Sequence, residues 1–230
     1  MPGEGVEPTH PFGYQILSLA RLPIPPSGPQ RREYTALNAR GSPLAAPASA
    51  TTIERMKFCP TCAAPLTQRI PDGDHLPRSV CTSCGAIHYR NPKLVAGCVA
   101  ELGGRILICR RAIEPRRGYW TIPAGFMETG ETLQQAAARE CLEEALARIE
   151  VGNLCAIVHV LHAEQVHVMF RATLADSSFG VGPESLETTL CDERDIPWPE
   201  IAFPSVEFTL RRYFADRAAG LAGLHYHTIA

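Results

Sequence analysis

The chain has 230 residues, of which 45% are hydrophobic and 20% charged, with a formal net charge of -2. That is ordinary globular composition, with apolar residues enough for a core. It gives no sign of the broad basic face that duplex nucleic acid calls for, which disfavours nucleic acid as a partner without excluding it, and no apolar run reaches the roughly 18 residues of a membrane span.

Residues 1–55 differ from the rest, with nine of the 20 prolines, no lysine and the small-residue run SPLAAPASATT. Such composition cannot bury enough apolar surface to offset the entropy of ordering, so the segment reads as disordered. Met56 stands directly before Lys57-Phe58-Cys59, where a folded unit begins. The expectation is that translation starts at Met56 and that residues 1–55 are not part of the native protein. An organelle-targeting extension is the competing reading, since the segment has Arg and Ala but few acids. The first residues lack the basic and then apolar pattern of a secretory signal.

Nine cysteines follow, in two CxxC pairs and five scattered positions. Cys59-x2-Cys62 and Cys81-x2-Cys84 are separated by 18 residues, the spacing of a four-cysteine zinc ribbon over residues 56–90. Two such turns aim four thiolates at one Zn²⁺ and leave no open position, so the metal is expected to be structural and to supply folding energy. A redox dithiol is the alternative, but two spaced pairs favour zinc. Cys98, Cys109, Cys141, Cys155 and Cys191 lie in apolar runs and read as small buried hydrophobes. Cysteines used this way fit a reducing, cytoplasmic setting.

Residues 91–230 read as an α/β domain. Leu94–Glu101 and Arg105–Arg110 are strand-like runs joined by Gly103-Gly104, a hairpin signal. Thr132–Ala147 has helical spacing. Leu154–His162 and Val166–Leu174 are further strands, Gly180–Pro183 breaks the chain, and Leu186–Cys191 is a shorter strand. Pro204 opens a second helix over Ser205–Ala219. His225 and His227 fall in a tail, and His159, His162 and His167 on strands; none is given a role.

On the first helix, Glu140, Glu143 and Glu144 share an arc of roughly 100°, since i, i+3 and i+4 lie on one face. Ala137, Cys141 and Ala145 lie beside that arc and can pack inward. Three neighbouring carboxylates repel one another unless a cation neutralises them. Mg²⁺ or Mn²⁺ suits oxygen ligands and keeps positions open for phosphate oxygens. A bare Glu-x2-Glu-Glu is usually a solvated face. Gly125, Glu131, Arg139, Glu140, Glu143 and Glu144 together spell G-x5-E-x7-R-E-x2-E-E, which chance would give in a chain this long less than about once in ten thousand.

That pattern is the Nudix box, and the chain resembles the Nudix hydrolases. The box normally continues with glycine and an aliphatic residue; here Leu146 and Ala147 follow, and Cys141 takes an aliphatic place. The resemblance implies an α/β/α sandwich around a mixed sheet, and metal-dependent cleavage of a nucleotide pyrophosphate. It makes Glu140 and Glu144 the main ligands of Mg²⁺ or Mn²⁺, with Glu143 assisting, and Glu131–Arg139 a supporting ion pair. Gly125 would let the loop approach the helix. Tyr119 and Trp120 would stack on an adenine or flavin ring, or else anchor the core. Glu187 or Glu184, after the glycine break, could orient the attacking water, as could Glu143.

A ribbon before a Nudix domain resembles two subgroups. One holds bacterial and plant proteins that include an FAD pyrophosphatase, matched by Tyr119-Trp120-Thr121-Ile122-Pro123-Ala124-Gly125 and Gly182-Pro183-Glu184-Ser185-Leu186-Glu187. The other is NADH pyrophosphatase, whose marker is echoed by Ile196-Pro197-Trp198-Pro199 to Phe203-Pro204-Ser205 without its Ser-Gln start. The first is preferred, giving an FAD or ADP-ribose type of substrate. NADH cleavage or NAD-cap removal from RNA, and a sensor that binds without turnover, are the alternatives. A homodimer is implied by family analogy alone.

Overall fold

A computed structural model describes residues 56–230. The expectations for residues 1–55, including their disorder and a start at Met56, lie outside the described residues.

The amino-terminal part is a three-stranded antiparallel sheet of β1 (Leu66–Arg69), β2 (Arg78–Cys81) and β3 (Ile87–His88). Gly73, at φ +80, turns the β1–β2 connection, and Asp74 braces it by accepting from Arg78 Nε at 2.8 Å. Within this part the buried hydrophobic positions are Val80 and the ribbon residues Cys59 and Cys81. Three such side chains cannot offset the entropy of ordering some 30 residues.

The larger part is built on a mixed sheet. β4 (Lys93–Leu102) and β5 (Arg105–Arg111) form the expected hairpin, with Gly103 and Gly104 both at positive φ. Two short strands that sequence reading missed follow: β6 (Trp120–Thr121) pairs with β5, and β7 (Ala124–Phe126) with β4. After helix α1 (Leu133–Ala145) come β8 (Ile149–Val160), β9 (Gln165–Leu174), β10 (Ser185–Cys191), helix α2 (Pro204–Ala219) and β11 (His225–Ile229). The strand order is β10-β5-β4-β9-β8-β11, with β4–β9 and β8–β11 parallel. His225 and His227 are therefore not in a loose tail; they lie in an edge strand, and the His225 ring meets Asp216 of α2 at 2.9 Å.

Period-2 alternation divides the sheet between two cores. Ala96, Cys98 and Ala100 of β4, Leu107 and Cys109 of β5, and Val168 and Phe170 of β9 face α1. Val99, Ile106, Ile108 and Met169 face the other way, toward Val206, Leu210, Tyr213 and Phe214 of α2. The result is the α/β/α sandwich expected. Where α1 crosses β4, the helix residues Ala136, Ala137, Cys141 and Ala145 and the strand residues Ala96, Cys98 and Ala100 are small, so the helix lies low there. Of the five scattered cysteines, four are fully buried and Cys191 partly so. Among the described residues, no helix is long and apolar enough to cross a membrane.

Helix α1 starts at a capping box: Gln135 N donates to Thr132 Oγ1 at 3.2 Å, and Thr132 N to Gln135 Oε1 at 2.8 Å. It ends at Ala145, two residues before the expected Ala147, because Leu146 turns left-handed at φ +50. The loop after β9 then completes the end of the helix. Gly180 N donates to Ala145 O at 2.7 Å and Gly182 N to Glu144 O at 3.1 Å. A β-carbon on Gly182 would lie 1.8 Å from Glu143 O, so no other residue fits this approach.

A side chain in the left-handed region costs roughly 1 kcal/mol that glycine avoids. L146G is therefore expected to be more stable than L146A by about 1 kcal/mol in denaturant unfolding, the reverse of the order inside a helix. Equal stabilities, or alanine ahead, would contradict the left-handed exit.

Candidate active site

α1 presents its carboxylates toward β7 and the loop before β10. Glu140 and Glu144 are buried, at 9% and 5% exposure, while Glu143 reaches solvent. Gly125 of β7 lies directly over Glu140: a β-carbon there would sit 2.3 Å from its carboxylate. Glu144 Oε2 accepts from the Ala124 N–H at 3.1 Å. Strand and helix are thus held together through the acids themselves.

Arg139 organises the group. Its Nε and Nη2 grip Glu131 at 3.0 and 2.8 Å, and Nη2 also donates to Phe126 O at 3.0 Å. Nη1 reaches Glu140 at 2.7 Å and Glu143 at 3.0 Å. With its donors so committed, Arg139 positions the acids and has little left for a ligand. Glu131 also receives Glu128 N at 2.6 Å. The Arg139 guanidinium, followed by that N–H, holds its carboxyl below the usual range.

The two buried acids are short of positive charge. Burial raises Glu140 against the pull of Arg139. Burial pushes Glu144 up to about 8, against the Ala124 N–H and the more distant Arg111, with Glu140 and Glu184 adding to the rise. Carboxylates gathered on one helix face, oxygen donors throughout, suit a hard divalent cation, which would let all of them ionise together.

Arg111 escaped sequence reading. Alternation from Leu107 and Cys109 puts it on the α1 face of β5, and that period was the available signal. Its Nε donates to Pro115 O at 2.9 Å and its guanidinium lies 5.1 Å over the Phe203 ring. It forms no ion pair among the described residues. Glu184 is fixed beside it, because Ala112 N donates to Glu184 O at 2.8 Å and Ser185 pairs with Arg111. Glu187 lies apart: a register shift follows Ser185, and Glu187 faces Arg110 at 3.9 Å. Arg110 alternates with Ile108 and so belongs to the α2 side. Of the two acids, Glu184 is the one whose charge reaches Glu140 and Glu144.

Trp120 packs partly buried on the α2 core, and its carbonyl accepts from Ala202 N at 2.7 Å, an anchoring role. The Tyr119 ring is more open, with the Arg116 guanidinium 5.2 Å from its centre.

In the ribbon, the sulfurs of Cys59, Cys62, Cys81 and Cys84 all lie within 4.8 Å of one another. Cys59–Cys84 is 3.8 Å and Cys62–Cys81 3.4 Å. A tetrahedron with Zn–S near 2.3 Å has edges of about 3.8 Å, so the cradle fits zinc, whereas a disulfide needs about 2 Å. N–H groups of Ser83 and Cys84 point at Cys81 Sγ, each at 3.4 Å. Burial opposes ionisation of Cys59, yet the N–H groups of Thr61 and Cys62 and the His88 ring together hold it at about 5. Cys84 is pulled down by the Ala86 N–H but pushed to about 12 by the neighbouring thiols. Without a cation the four cannot all be thiolates.

Residues 57–90 match the family model described as Nudix N-terminal, a zinc ribbon, and residues 91–196 match the NUDIX domain. A crystal structure of a NUDIX hydrolase from Nitrosomonas europaea is 49% identical, with a TM-score of 0.74, over 76% of this chain and 99% of that one. An NAD-capped RNA hydrolase NudC of Edwardsiella ictaluri is 37% identical over 101 residues, 43% of this chain. The match spans only 35% of that relative's length. An ADP-ribose pyrophosphatase of Methanocaldococcus jannaschii is 24% identical over 113 residues, 47% of this chain and 67% of that protein.

Two outcomes follow from this geometry. Folded Glu144 keeps its proton to about pH 8, against an ordinary value of 4.5. The fold thus binds more protons than the unfolded chain between those values, and stability without Mg²⁺ falls as pH rises, by at most about 1.4 kcal/mol per pH unit. The thermal midpoint should be lower at pH 8 than at pH 6, and Mg²⁺ should raise it more at pH 8; a midpoint climbing with pH contradicts the burial. Metal analysis should find one zinc per chain, and C81S should lose it together with the protease resistance of residues 57–90.

Proposed function

Since this chain belongs to the Nudix hydrolase family, we propose that it cleaves the pyrophosphate linkage of a nucleotide derivative at the carboxylates of α1. The observation that carries the reading is the buried pair Glu140 and Glu144, locked to β7 and undercompensated in charge. Glu140, Glu144 and the more exposed Glu143 would hold Mg²⁺ or Mn²⁺. Such a cation supplies charge for the phosphoryl oxygens and acidifies water.

The chain's own groups divide the remaining work. Arg139 and Glu131 fix where Glu140 and Glu143 point. Arg111, without an ion pair among the described residues and with its charge felt at Glu144, binds a phosphoryl oxygen. Glu184, beside Arg111, is placed to accept a proton from the attacking water; Glu143 is the other acid open to solvent. Glu187, on the far face, is given no part in that step. Tyr119 offers an accessible ring for stacking, and Trp120 anchors the strand beside it. Zinc in the four-cysteine cradle is structural. By this division residues 56–90 are the ribbon and 91–230 the hydrolase domain, with the first 55 residues outside both.

The substrate is read as a dinucleotide-type pyrophosphate of the FAD or ADP-ribose kind. Names of relatives give a specific second reading, NAD removed from capped RNA, which the intact ribbon also favours. A non-catalytic sensor is disfavoured by the complete acid set.

A panel of FAD, ADP-ribose, NADH and NAD-capped RNA, each with Mg²⁺ or Mn²⁺, tests the proposal. Wild type should hydrolyse at least one, and E144Q should slow it by roughly two to three orders of magnitude. No hydrolysis by wild type, or an unchanged rate in E144Q, would sink the hydrolase reading. E184Q losing far more activity than E187Q is the outcome that separates the two acids.

A further inference from the structure

The connection from β5 to β6, residues 112–118, carries two arginines that have no part in the chemistry at α1. Arg116 and Arg117 are both exposed, and neither forms an ion pair among the described residues.

Hydrogen bonds hold this loop in one shape. Gly118 N donates to Arg111 O, Arg111 N to Tyr119 O and Arg111 Nε to Pro115 O, each at 2.9 Å. Tyr119 N donates to Arg116 O at 3.1 Å, which closes a turn with Gly118 at its third position, at φ +84. Arg116 itself is left-handed, at φ +65. Strain of this kind in a residue other than glycine persists only where the surroundings fix it, and it gathers at ligand sites. The turn folds Arg116 back, so that its guanidinium lies 5.2 Å from the centre of the Tyr119 ring.

Tyr119 stands on the side of the acids. Trp120 packs on the α2 core, so its neighbour Tyr119 alternates to the α1 face. A chain of backbone bonds ties this place to α1. Glu144 O receives Gly182 N at 3.1 Å, and Glu184, two residues on, receives Ala112 N at 2.8 Å. Two residues of extended chain span at most about 7 Å. Ala112 directly follows Arg111, whose N–H is bonded to Tyr119. An aromatic ring joined to a pyrophosphate through one ribose covers a gap of that order.

A ring entering here meets two flat partners. The phenol stacks on one side, and the planar, weakly hydrated guanidinium stacks on the other. Without a ligand these two lie on each other, and an exposed contact of that kind is weak enough for a substrate to open. Stacked faces sit about 3.5 Å apart, so a ring needs roughly 7 Å between phenol and guanidinium. The long, exposed side chain of Arg116 can give that room. With no acid paired to it, its charge falls on whatever ring enters.

We propose that Arg116 and Tyr119 form a clip for the aromatic ring of the nucleoside whose pyrophosphate lies at α1, and that Arg116 sets its selectivity. A neutral ring, purine or flavin, is held between guanidinium and phenol. A ring that carries positive charge is repelled by Arg116. The inference rests on the reading of α1 as the pyrophosphate site.

Binding and turnover test it separately. Calorimetry uses the zinc-loaded full chain with Mg²⁺, and GMP against 7-methyl-GMP in mildly acidic buffer, where the methylated ring carries a positive charge. Wild type should prefer GMP. Y119A should weaken GMP about tenfold, the size of one lost stacking contact. In R116E the ratio of affinities, GMP over 7-methyl-GMP, should fall at least about tenfold, because a repelling charge becomes an attracting one. R117E, next along the turn and without the ring contact, should leave that ratio within about twofold, its exposed charge being screened. On whichever dinucleotide is hydrolysed, R116E should raise KM several-fold with little change in kcat, the mark of a group that binds ground and transition states alike. The ring preference without hydrolysis of any dinucleotide supports the clip while the hydrolase reading fails. Hydrolysis with a ratio that R116E leaves unmoved, or that R117E moves as far, overturns the clip and leaves the hydrolase reading standing. Failure of wild type to bind either nucleotide also overturns the clip.

Discussion

The close approach of Gly125 to the Glu140 carboxylate sets the geometry on which this end of the molecule depends. It requires α1 to lie low on the sheet, which is why Ala136, Ala137, Cys141 and Ala145 meet Ala96, Cys98 and Ala100 with no long side chain between. Cys141, in an aliphatic place of the box, keeps that layer thin. β7 must cross β4 closely as well: a β-carbon on Gly97 would lie 2.4 Å from that of Ala124. Lifting the helix by one methylene would separate Glu144 from the Ala124 N–H and expose both acids. Packing therefore decides the electrostatics here, since burial is the largest influence on both carboxyls.

One cation already stands among the acids, and its arrangement explains why it does not suffice. Arg139 spends two donors on Glu131 and one on the Phe126 carbonyl, leaving Nη1 to divide between Glu140 and Glu143. It fixes directions rather than neutralising charge, and Glu144 lies beyond its hydrogen bonds. The ribbon meets the same problem with soft donors. Four thiols crowd a point, and their protons are shared unevenly until a cation arrives. The two clusters differ in hardness, oxygen against sulfur, which keeps the metals they suit apart.

Most long periodic elements were legible in the sequence, although β8 begins at Ile149 rather than the expected Leu154, and short or paired ones were not. Alternation and helical spacing located β4, β5, β9, α1 and α2 to within a residue or two, because each buries a continuous stripe. β6 and β7 are two and three residues long; they exist only because β5 and β4 offer them edges, and Pro123 between them reads as a break. β11 carries His, Tyr and Thr, and its pattern is set by pairing to β8 rather than by burial. At the site, i, i+3, i+4 spacing was enough to gather Glu140, Glu143 and Glu144. The two later acids were harder. Glu184 and Glu187 are three apart, which puts them on opposite faces of a regular strand, but the sequence does not say which of the two meets the box. Glu187 pairs with Arg110 after a register shift past Ser185, and a shift of that kind leaves no mark in composition.

Leu146 shows how the fold accommodates the missing box glycine. A helix must end here, because its last carbonyls are needed by the loop that returns from β9. Glycine would supply the left-handed exit without strain; leucine adopts it at φ +50 and stays half exposed. The turn is held from outside, by Gly180 and Gly182 donating to the carbonyls of Ala145 and Glu144. That clamp demands glycine at 182, where a β-carbon would strike Glu143 O. The requirement for glycine has thus been met in the loop that grips the helix rather than in the helix itself. Because Glu184 follows two residues after Gly182, the contact that secures the helix end also delivers a carboxylate to the site. Strain at Leu146 and placement of Glu184 are consequences of one docking, and a change at either should be felt at the other.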